Sequence, residues 1–251
     1  MHRFFLPPEL FNSEIICLSA EISHQITRVL RLKPGQDIIL LDNQGFEYGA
    51  TLITIDNGTV FAKILSKNPV SSESSVKTTL FLALTQREKF EWSLQKCTEL
   101  GASAFVPVIT SRTLVQERQY SERKIIRWQH IIREAAEQSR RGRLPEISHP
   151  LTLEKIINSA IGNHDLLLIP WEEEHSMSLK KVLFSKEVYT KVGVSIGILI
   201  GPEGGFSAKE VDKAAERGFI PISLGKRILR METAAMATLT MVLYELGEMG
   251  E

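Results

Sequence analysis

The last two thirds of the chain alternate short apolar runs with helical stretches, and this alternation restricts the fold more than any other feature. The sequence predicts strands at residues 79–84, 104–109, 165–170, 194–200 and 219–224. It predicts helices at residues 88–100, 121–140, 152–160, 178–185, 208–217 and 232–247. The run at 194–200 (VSIGILI) is almost continuously apolar, which is typical of a strand buried on both faces of a parallel sheet. We therefore expect an α/β domain with a mostly parallel sheet.

The first part of the chain follows a different pattern. Short strand candidates at 14–19, 37–42, 47–55 and 59–65 are separated by turn signals such as Pro34-Gly35 and Asn57-Gly58. With one helix near 20–30, they favour a small β-barrel. Serine dominates residues 66–79, which we interpret as a linker. The predicted domains are therefore a barrel over 1–70, a linker over 71–78 and the α/β domain over 79–251.

Two glycine-containing loops follow predicted strands near the C-terminus. The first reads Gly201-Pro202-Glu203-Gly204-Gly205, and glycines let a backbone turn sharply and approach a ligand closely. Ser207 and Glu210 then predict a capping box that begins a helix. The second loop opens at Gly225, before a helix from about Glu232. Both loops are expected at the carboxyl ends of parallel strands, where open α/β sheets bind ligands.

Each loop could also be an ordinary strand-to-helix connection, since loops of this length are routine. Two such loops with residues typical of functional sites favour a ligand pocket. Neither loop carries the G-x-G-x-x-G pattern or the glycine spacing of a P-loop, so dinucleotide and Walker-type phosphate binding are disfavoured.

Composition limits the other classes of function. Thirty basic and thirty acidic residues cancel, so contact with nucleic acid must come from local clusters. Cys17 and Cys97 are too few for a disulfide framework and favour a cytosolic protein; we interpret Cys97 as a packed apolar residue. The sequence shows no signal peptide, no membrane-spanning run and no metal-ligand spacing among its six histidines.

Basic residues cluster between positions 118 and 143, where eight basic and three acidic residues give a local net charge of plus five. Arginine can grip phosphate with two hydrogen bonds, so the end of this segment predicts an RNA contact at Gln138, Arg140, Arg141 and Arg143. The alternative is a solvated helix face. A thinner basic set comprises Arg3, Arg28, Arg31 and Lys33, and its three arginines are also predicted RNA contacts. The neighbouring Phe4 and Phe5 are expected in the barrel core rather than as platforms for base stacking.

At this point the sequence resembles a known family over nearly its whole length. The matching segments begin with His2-Arg3-Phe4-Phe5 and continue through 24–35, 89–91, 95–101, 136–140 and 143–147. The most specific match pairs residues 200–207 (IGPEGGFS) with the later pattern LG-x-R-I-L-R at 224–230. These motifs resemble those of the RsmE-type methyltransferases, which methylate N3 of a uridine in bacterial 16S ribosomal RNA and belong to the SPOUT class of knotted methyltransferases.

The resemblance implies an N-terminal PUA-like β-barrel that helps dock RNA, a C-terminal trefoil-knot domain and a homodimer that completes the RNA site. The implied partner is 16S ribosomal RNA or the small ribosomal subunit. It also implies S-adenosylmethionine as the methyl donor. By position, the residues implied to hold this cofactor are Pro170, Leu199, Ile200, Gly201, Glu203, Gly204, Gly205, Leu224, Gly225, Ile228, Leu229 and Arg230, with Trp171 as a further wall.

Methyl transfer to uracil N3 requires an exposed base, a short path to the methyl group and removal of the N3 proton. Glu203 and Glu232 are candidate carboxylates for the proton, and Arg230 is a candidate to stabilise charge on the uracil oxygens. Structural roles compete with these, since Glu203 could bond its own loop and Glu232 could act on a helix N-terminus. Lys96 and Glu99 are expected to form a local ion pair.

Two other functions remain open at this point. One is a non-catalytic RNA-binding or ribosome-assembly protein, in which the loops only connect elements. The other is a transferase that uses the same cofactor on a small molecule.

Overall fold

The computed structural model describes residues 1–113, 121–185, 188 and 193–250. They form two compact units. The N-terminal unit comprises Met1–Glu73 together with Ala136–Leu144, and the second unit comprises Ser74–Ala135 and Pro145–Glu251. The second piece of the N-terminal unit was not anticipated from the sequence, which assigned those residues to the α/β domain.

The N-terminal unit is built on a five-stranded sheet with the order β1-β3-β4-β5-β2. The strands are β1 (Arg3–Phe5), β2 (Ile15–Cys17), β3 (Asp37–Leu41), β4 (Phe46–Asp56) and β5 (Thr59–Pro69). Helix α1 (Ala20–His24) continues into a π-helical turn at Gln25–Val29, and a 3-10 turn covers Pro8–Asn12. β1 pairs with β3 in parallel, and the other pairings are antiparallel.

The four strands and the helix that the sequence predicts for this unit are confirmed. β5 reaches Pro69 and the next strand begins at Lys77, so the connection without a strand covers 70–76. β1 was missed because three residues are too few to show alternation. Phe4 and Phe5 are both buried, as expected of core residues.

The second unit has a seven-stranded sheet, and all its described pairings are parallel. Its strands are β6 (Lys77–Ala83), β7 (Ala104–Ile109), β8 (Glu146–Ile147), β9 (Leu151–Thr152), β10 (Leu166–Pro170), β11 (Ser195–Ile200) and β12 (Phe219–Ile222). Its helices are α2 (Arg87–Leu100), α3 (Glu122–Gln138, whose last turn belongs to the N-terminal unit), α4 (Leu153–Ser159), α5 (Leu179–Ser185), α6 (Ala208–Glu216) and α7 (Met231–Glu245). The predicted α/β fold with a mostly parallel sheet is confirmed.

Helices cover both faces of this sheet, which explains why β11 is apolar at nearly every position. Ile196, Ile198 and Ile200 join the core beneath α2, α3, α5 and α7, whereas Leu199 joins the core beneath α4 and α6. Gly197 has no room for a side chain. A Cβ there would lie 2.7 Å from the Leu167 side chain and 2.8 Å from that of Phe81.

The strand order brings four loops together at one edge of the sheet. The order β12-β10-β11-β6-β7-β8 places β11 between β10 and β6, with β12 beyond β10. Because parallel strands end at the same edge, the loops that follow β12, β10, β11 and β6 are neighbours. The expected position of both glycine-containing loops is therefore confirmed. Among the helices of the described ranges, none is both long and apolar enough to cross a membrane.

Candidate functional site

A cavity of about 270 Å³ lies among the loops after β10, β11 and β12. Ten of the twelve residues predicted to hold a cofactor line it. They are Pro170, Ile200, Gly201, Glu203, Gly205, Leu224, Gly225, Ile228, Leu229 and Arg230. The other two do not line the cavity: Leu199 is fully buried in the core, and Gly204 is exposed, with its carbonyl accepting a hydrogen bond of 2.5 Å from Arg112 Nη1.

The loop after β11 depends on glycine for its shape. Gly205 has a φ of +65°, in the left-handed region, and its N–H donates to the Pro202 carbonyl at 2.9 Å. A Cβ at Gly205 would run into Oε1 of Glu172, which also lines the cavity. The predicted capping box begins α6: Ser207 N donates to Glu210 Oε2 at 2.9 Å, and Glu210 N donates to Ser207 Oγ at 3.4 Å.

Glu203 is held by groups from the loop and helix that follow β6. Its Oε1 accepts a hydrogen bond from the Thr85 hydroxyl and lies 3.1 Å from Nζ of Lys89. Burial raises the pKa of Glu203, but hydrogen bonds from Thr85, from its own backbone N–H and from Lys89 outweigh burial and leave the pKa below its usual value. A carboxylate with a lowered pKa is a weak base, so these contacts suit a residue that fixes the loop.

The other two predicted catalytic residues stand at the start of α7. Arg230 precedes the helix, lines the cavity and is exposed. Within the described ranges no carboxylate lies within 4 Å of its guanidinium, which therefore remains available to a ligand. Glu232 lies in the first turn; its Oε2 is buried and has no hydrogen-bond partner among the described residues. Glu232 is not part of the cavity lining.

The cavity wall from β10 includes residues that sequence reasoning did not assign. Trp171 was expected as a wall, and its backbone N–H donates to the Ile222 carbonyl at 3.0 Å, which ties the two loops together. Its indole Nε1 is buried without a partner among the described residues. Glu172 and His175 also line the cavity but were missed, because no motif surrounds them and the order of the strands was unknown.

The predicted RNA contacts near position 140 divide into exposed and buried side chains. Gln138, Arg140 and Arg143 are exposed, whereas only 7% of the Arg141 side chain is accessible. Nη2 of Arg141 lies 3.0 Å from Oε2 of Glu73. The burial and pairing of Arg141 favour a structural role, while the three exposed residues stay predicted RNA contacts. Arg118, from the same basic cluster, lies outside the described residues.

Glu73 holds the backbone of this turn as well. Its Oε1 accepts hydrogen bonds from the N–H groups of Gly142 at 2.8 Å and Arg143 at 3.1 Å. The guanidinium of Arg143 donates to the Gln44 carbonyl at 2.7 Å. One carboxylate thus fixes both the buried arginine and the loop that carries the exposed ones.

The second predicted basic set also contains both buried and exposed side chains. Arg3 is largely buried and paired with Glu47 at 2.6 Å, so this arginine supports the sheet. Arg28 and Arg31 are exposed and stay predicted RNA contacts. The Lys96–Glu99 ion pair is confirmed at 2.8 Å.

Cys97 is buried, as expected, and burial raises its pKa to about 12. In the described ranges no group of three or more histidine, cysteine, aspartate or glutamate side chains could hold a metal ion.

Comparison with known proteins identifies the chain. Residues 72–243 match a family model described as an RNA methyltransferase domain, and residues 18–65 match an RNA methyltransferase PUA domain. The chain is 36% identical over 241 residues to ribosomal RNA small subunit methyltransferase E of Synechocystis, covering 96% of this chain and 77% of that protein. It is 30% identical to the Bacillus subtilis protein of the same name, covering 98% and 97%.

A crystal structure gives the same result. Ribosomal RNA small subunit methyltransferase E from Neisseria gonorrhoeae, solved bound to S-adenosyl methionine, superposes with a TM-score of 0.86 at 29% identity, covering 98% of each chain. The matches extend over both the PUA segment and the α/β domain. The chain therefore belongs to the ribosomal RNA small subunit methyltransferase E family.

Proposed function

We propose that this protein transfers the methyl group of S-adenosylmethionine to uracil N3 of one uridine in the 16S RNA of the small ribosomal subunit. The observation that carries the proposal is the cavity among the loops after β10, β11 and β12, in a chain that matches ribosomal RNA methyltransferases over nearly its full length. The position on the base rests on the motifs at 200–207 and 224–230.

The residues around the cavity fit this cofactor. Glycines at 201, 205 and 225 leave backbone groups accessible, so N–H and C=O groups can recognise an adenine ring without specialised side chains. The unpartnered Nε1 of Trp171 offers a further donor, and Leu224, Ile228 and Leu229 offer apolar surface. When bound, the cofactor supplies a methyl group on a positively charged sulfur. Uracil N3 loses its proton and takes this methyl group, and the sulfur is the leaving group.

The residues beside the cavity have distinct roles in this reaction. Arg230 is free to donate to the uracil oxygens, on which negative charge develops as the N3 proton leaves. Glu203 fixes the loop through Thr85 and Lys89, because its pKa is lowered and its Oε1 is already engaged. We assign proton removal to Glu232, whose Oε2 has no partner in the described ranges.

The proposed partners are the small ribosomal subunit and a second copy of this chain, in the cytoplasm. Exposed apolar side chains support a homodimer: Trp92 on α2 and Met241 and Tyr244 on α7 are 43%, 36% and 63% accessible, and the two helices pack together. Large exposed apolar groups on adjacent helices are typical of an interface. Sedimentation of the purified protein as a monomer at micromolar concentration would exclude the dimer.

The decisive experiment maps modified uridines in ribosomal RNA from cells that lack this protein. We expect loss of one N3-methyluridine, restored by the wild type and by Arg217→Met, an exposed arginine at the end of α6, but not by Arg230→Met. Unchanged RNA in the deletion strain would refute the proposed activity. Calorimetry with S-adenosylmethionine separates an enzyme from a non-catalytic RNA-binding protein, because only the enzyme requires the cofactor.

The proton acceptor is tested through the rate of methyl transfer and the affinity for the cofactor. If Glu232 accepts the proton, Glu232→Gln lowers the rate of methyl transfer while binding of the cofactor is retained. Glu203→Gln instead weakens cofactor binding. The reverse pattern would assign the proton to Glu203.

A further inference from the structure

A second cavity, of about 380 Å³, lies between α2 and α3, and no residue of it belongs to the predicted site. Its floor is apolar. Leu84, Phe90 and Trp128 form this floor, with the rings of Phe90 and Trp128 packed at a centroid distance of 4.8 Å. Both rings are largely buried, so the floor is fixed by the core rather than by mobile side chains.

The rim of this cavity is basic. Arg87, Arg123, Lys124 and Arg127 surround it, and Glu91 is the acidic residue of its lining. Glu91 is occupied by two of these arginines: Nε of Arg127 lies 2.6 Å and Nε of Arg87 lies 3.0 Å from its Oε1.

Arg123 is exposed, and within the described ranges no carboxylate lies within 4 Å of it. Among the described residues, Arg123 therefore adds to the rim a positive charge that no carboxylate neutralises.

The second cavity and the cofactor cavity lie at the same edge of the sheet. Thr85, in the loop after β6, lines the second cavity and donates its hydroxyl proton to Glu203, which lines the first. Lys89, in the first turn of α2, contacts the same carboxylate. Because β6 and β11 are adjacent strands, the contact between Thr85 and Glu203 separates the two cavities.

We propose that the second cavity binds one nucleotide of the RNA substrate next to the methylated uridine, with the base against the apolar floor and a phosphate held by Arg123 and Arg87. Flat bases and anionic phosphates match an aromatic floor inside an arginine rim. Holding the neighbouring nucleotide keeps the target base out of its stack while the methyl group is transferred. This inference rests on the proposed function, since it assumes an RNA substrate.

The first test is photocrosslinking of the full-length protein to a single-stranded RNA that carries one thiouridine beside the target uridine. We expect the crosslink on peptides that contain Phe90 or Trp128. The charge reversal Arg123→Glu lowers RNA affinity about tenfold and reduces the salt dependence of binding by about one counterion. The control Lys209→Glu makes the same charge change at an exposed position on α6, at the other face of the sheet, and leaves both quantities unchanged.

Binding of S-adenosylmethionine is measured by calorimetry for each variant. This measurement separates the proposed nucleotide site from the proposed methyltransferase function. Arg123→Glu that binds the cofactor normally but loses the crosslink supports the nucleotide site. Arg123→Glu with wild-type crosslinking and affinity overturns it, even if methylation of the small subunit stands. A wild-type protein that crosslinks at Trp128 but neither binds the cofactor nor methylates RNA refutes the proposed function and leaves the RNA site in place.

Discussion

Replacing Gly205 by alanine separates backbone strain from ligand binding in the loop after β11. At a φ of +65°, a residue with a Cβ lies in the left-handed region, which costs about 1–2 kcal/mol. Gly162, in the turn after α4, has a φ of +82° and no heavy atom within 4 Å of the position of a Cβ. We therefore expect Gly205→Ala and Gly162→Ala to lower the free energy of unfolding by similar amounts, about 1–2 kcal/mol in urea denaturation.

Only the alanine at position 205 should change binding of the cofactor. Its Cβ meets Oε1 of Glu172, so the Glu172 side chain has to move within the cavity wall. Displacing the end of this exposed side chain costs little stability but changes the cavity wall, and a loss of about 1.4 kcal/mol in binding is a tenfold weaker affinity. Calorimetry should show this loss for Gly205→Ala and wild-type affinity for Gly162→Ala. Equal affinities for the two variants would refute the reasoning.

Three further outcomes are expected. Gly197→Ala, in the centre of β11, lowers the free energy of unfolding by about 1–3 kcal/mol, because the alanine Cβ has no space. A variant as stable as the wild type would contradict the packing described for this strand. Because the pKa of Glu203 is lowered in the folded protein, its contribution to stability is present at neutral pH and is lost as the pH falls from the unfolded pKa through the folded pKa. Lys89→Met raises the folded pKa, so the variant is less stable at neutral pH and loses less stability in acid than the wild type; stability curves of the same shape would exclude this. A thiol reagent at about pH 8 labels Cys17 but not Cys97 in the native protein, because burial raises the pKa of Cys97 to about 12 and leaves almost no thiolate. The variant Cys17→Ser retains only Cys97, so labelling of this variant in its native state would contradict the prediction.

The sequence was most informative where local pattern and tertiary environment agree. β7, predicted at 104–109, was recovered without error, and the other predicted strands of the sheet were recovered to within two residues, because strands buried on both faces read as unbroken apolar runs. The Ser207–Glu210 capping box was predictable because the hydrogen bonds join residues three apart. β8 and β9 have two residues each and carry no pattern to detect.

The sequence could not show contacts that depend on the strand order. Lys89 and Glu203 are 114 positions apart, and their ion pair forms because β6 and β11 are neighbours. Arg112 reaches the Gly204 carbonyl for a similar reason. Arg141 looked like its exposed neighbours in a run of arginines, and only its distant partner Glu73 explains its burial. The trefoil knot and the domain limits at 70 and 79 stay predictions.

The N-terminal unit needs a piece of chain that is synthesised long after the rest of it. Phe5 and Leu41 share an apolar cluster with Ala136, and the turn at 140–143 is held by Glu73. On the ribosome, this unit therefore cannot complete its core until residue 144 has emerged. A fragment ending at residue 73 would expose that cluster, so gene fusions or transplants of the PUA domain alone should yield aggregation-prone protein unless a segment equivalent to 136–144 is supplied.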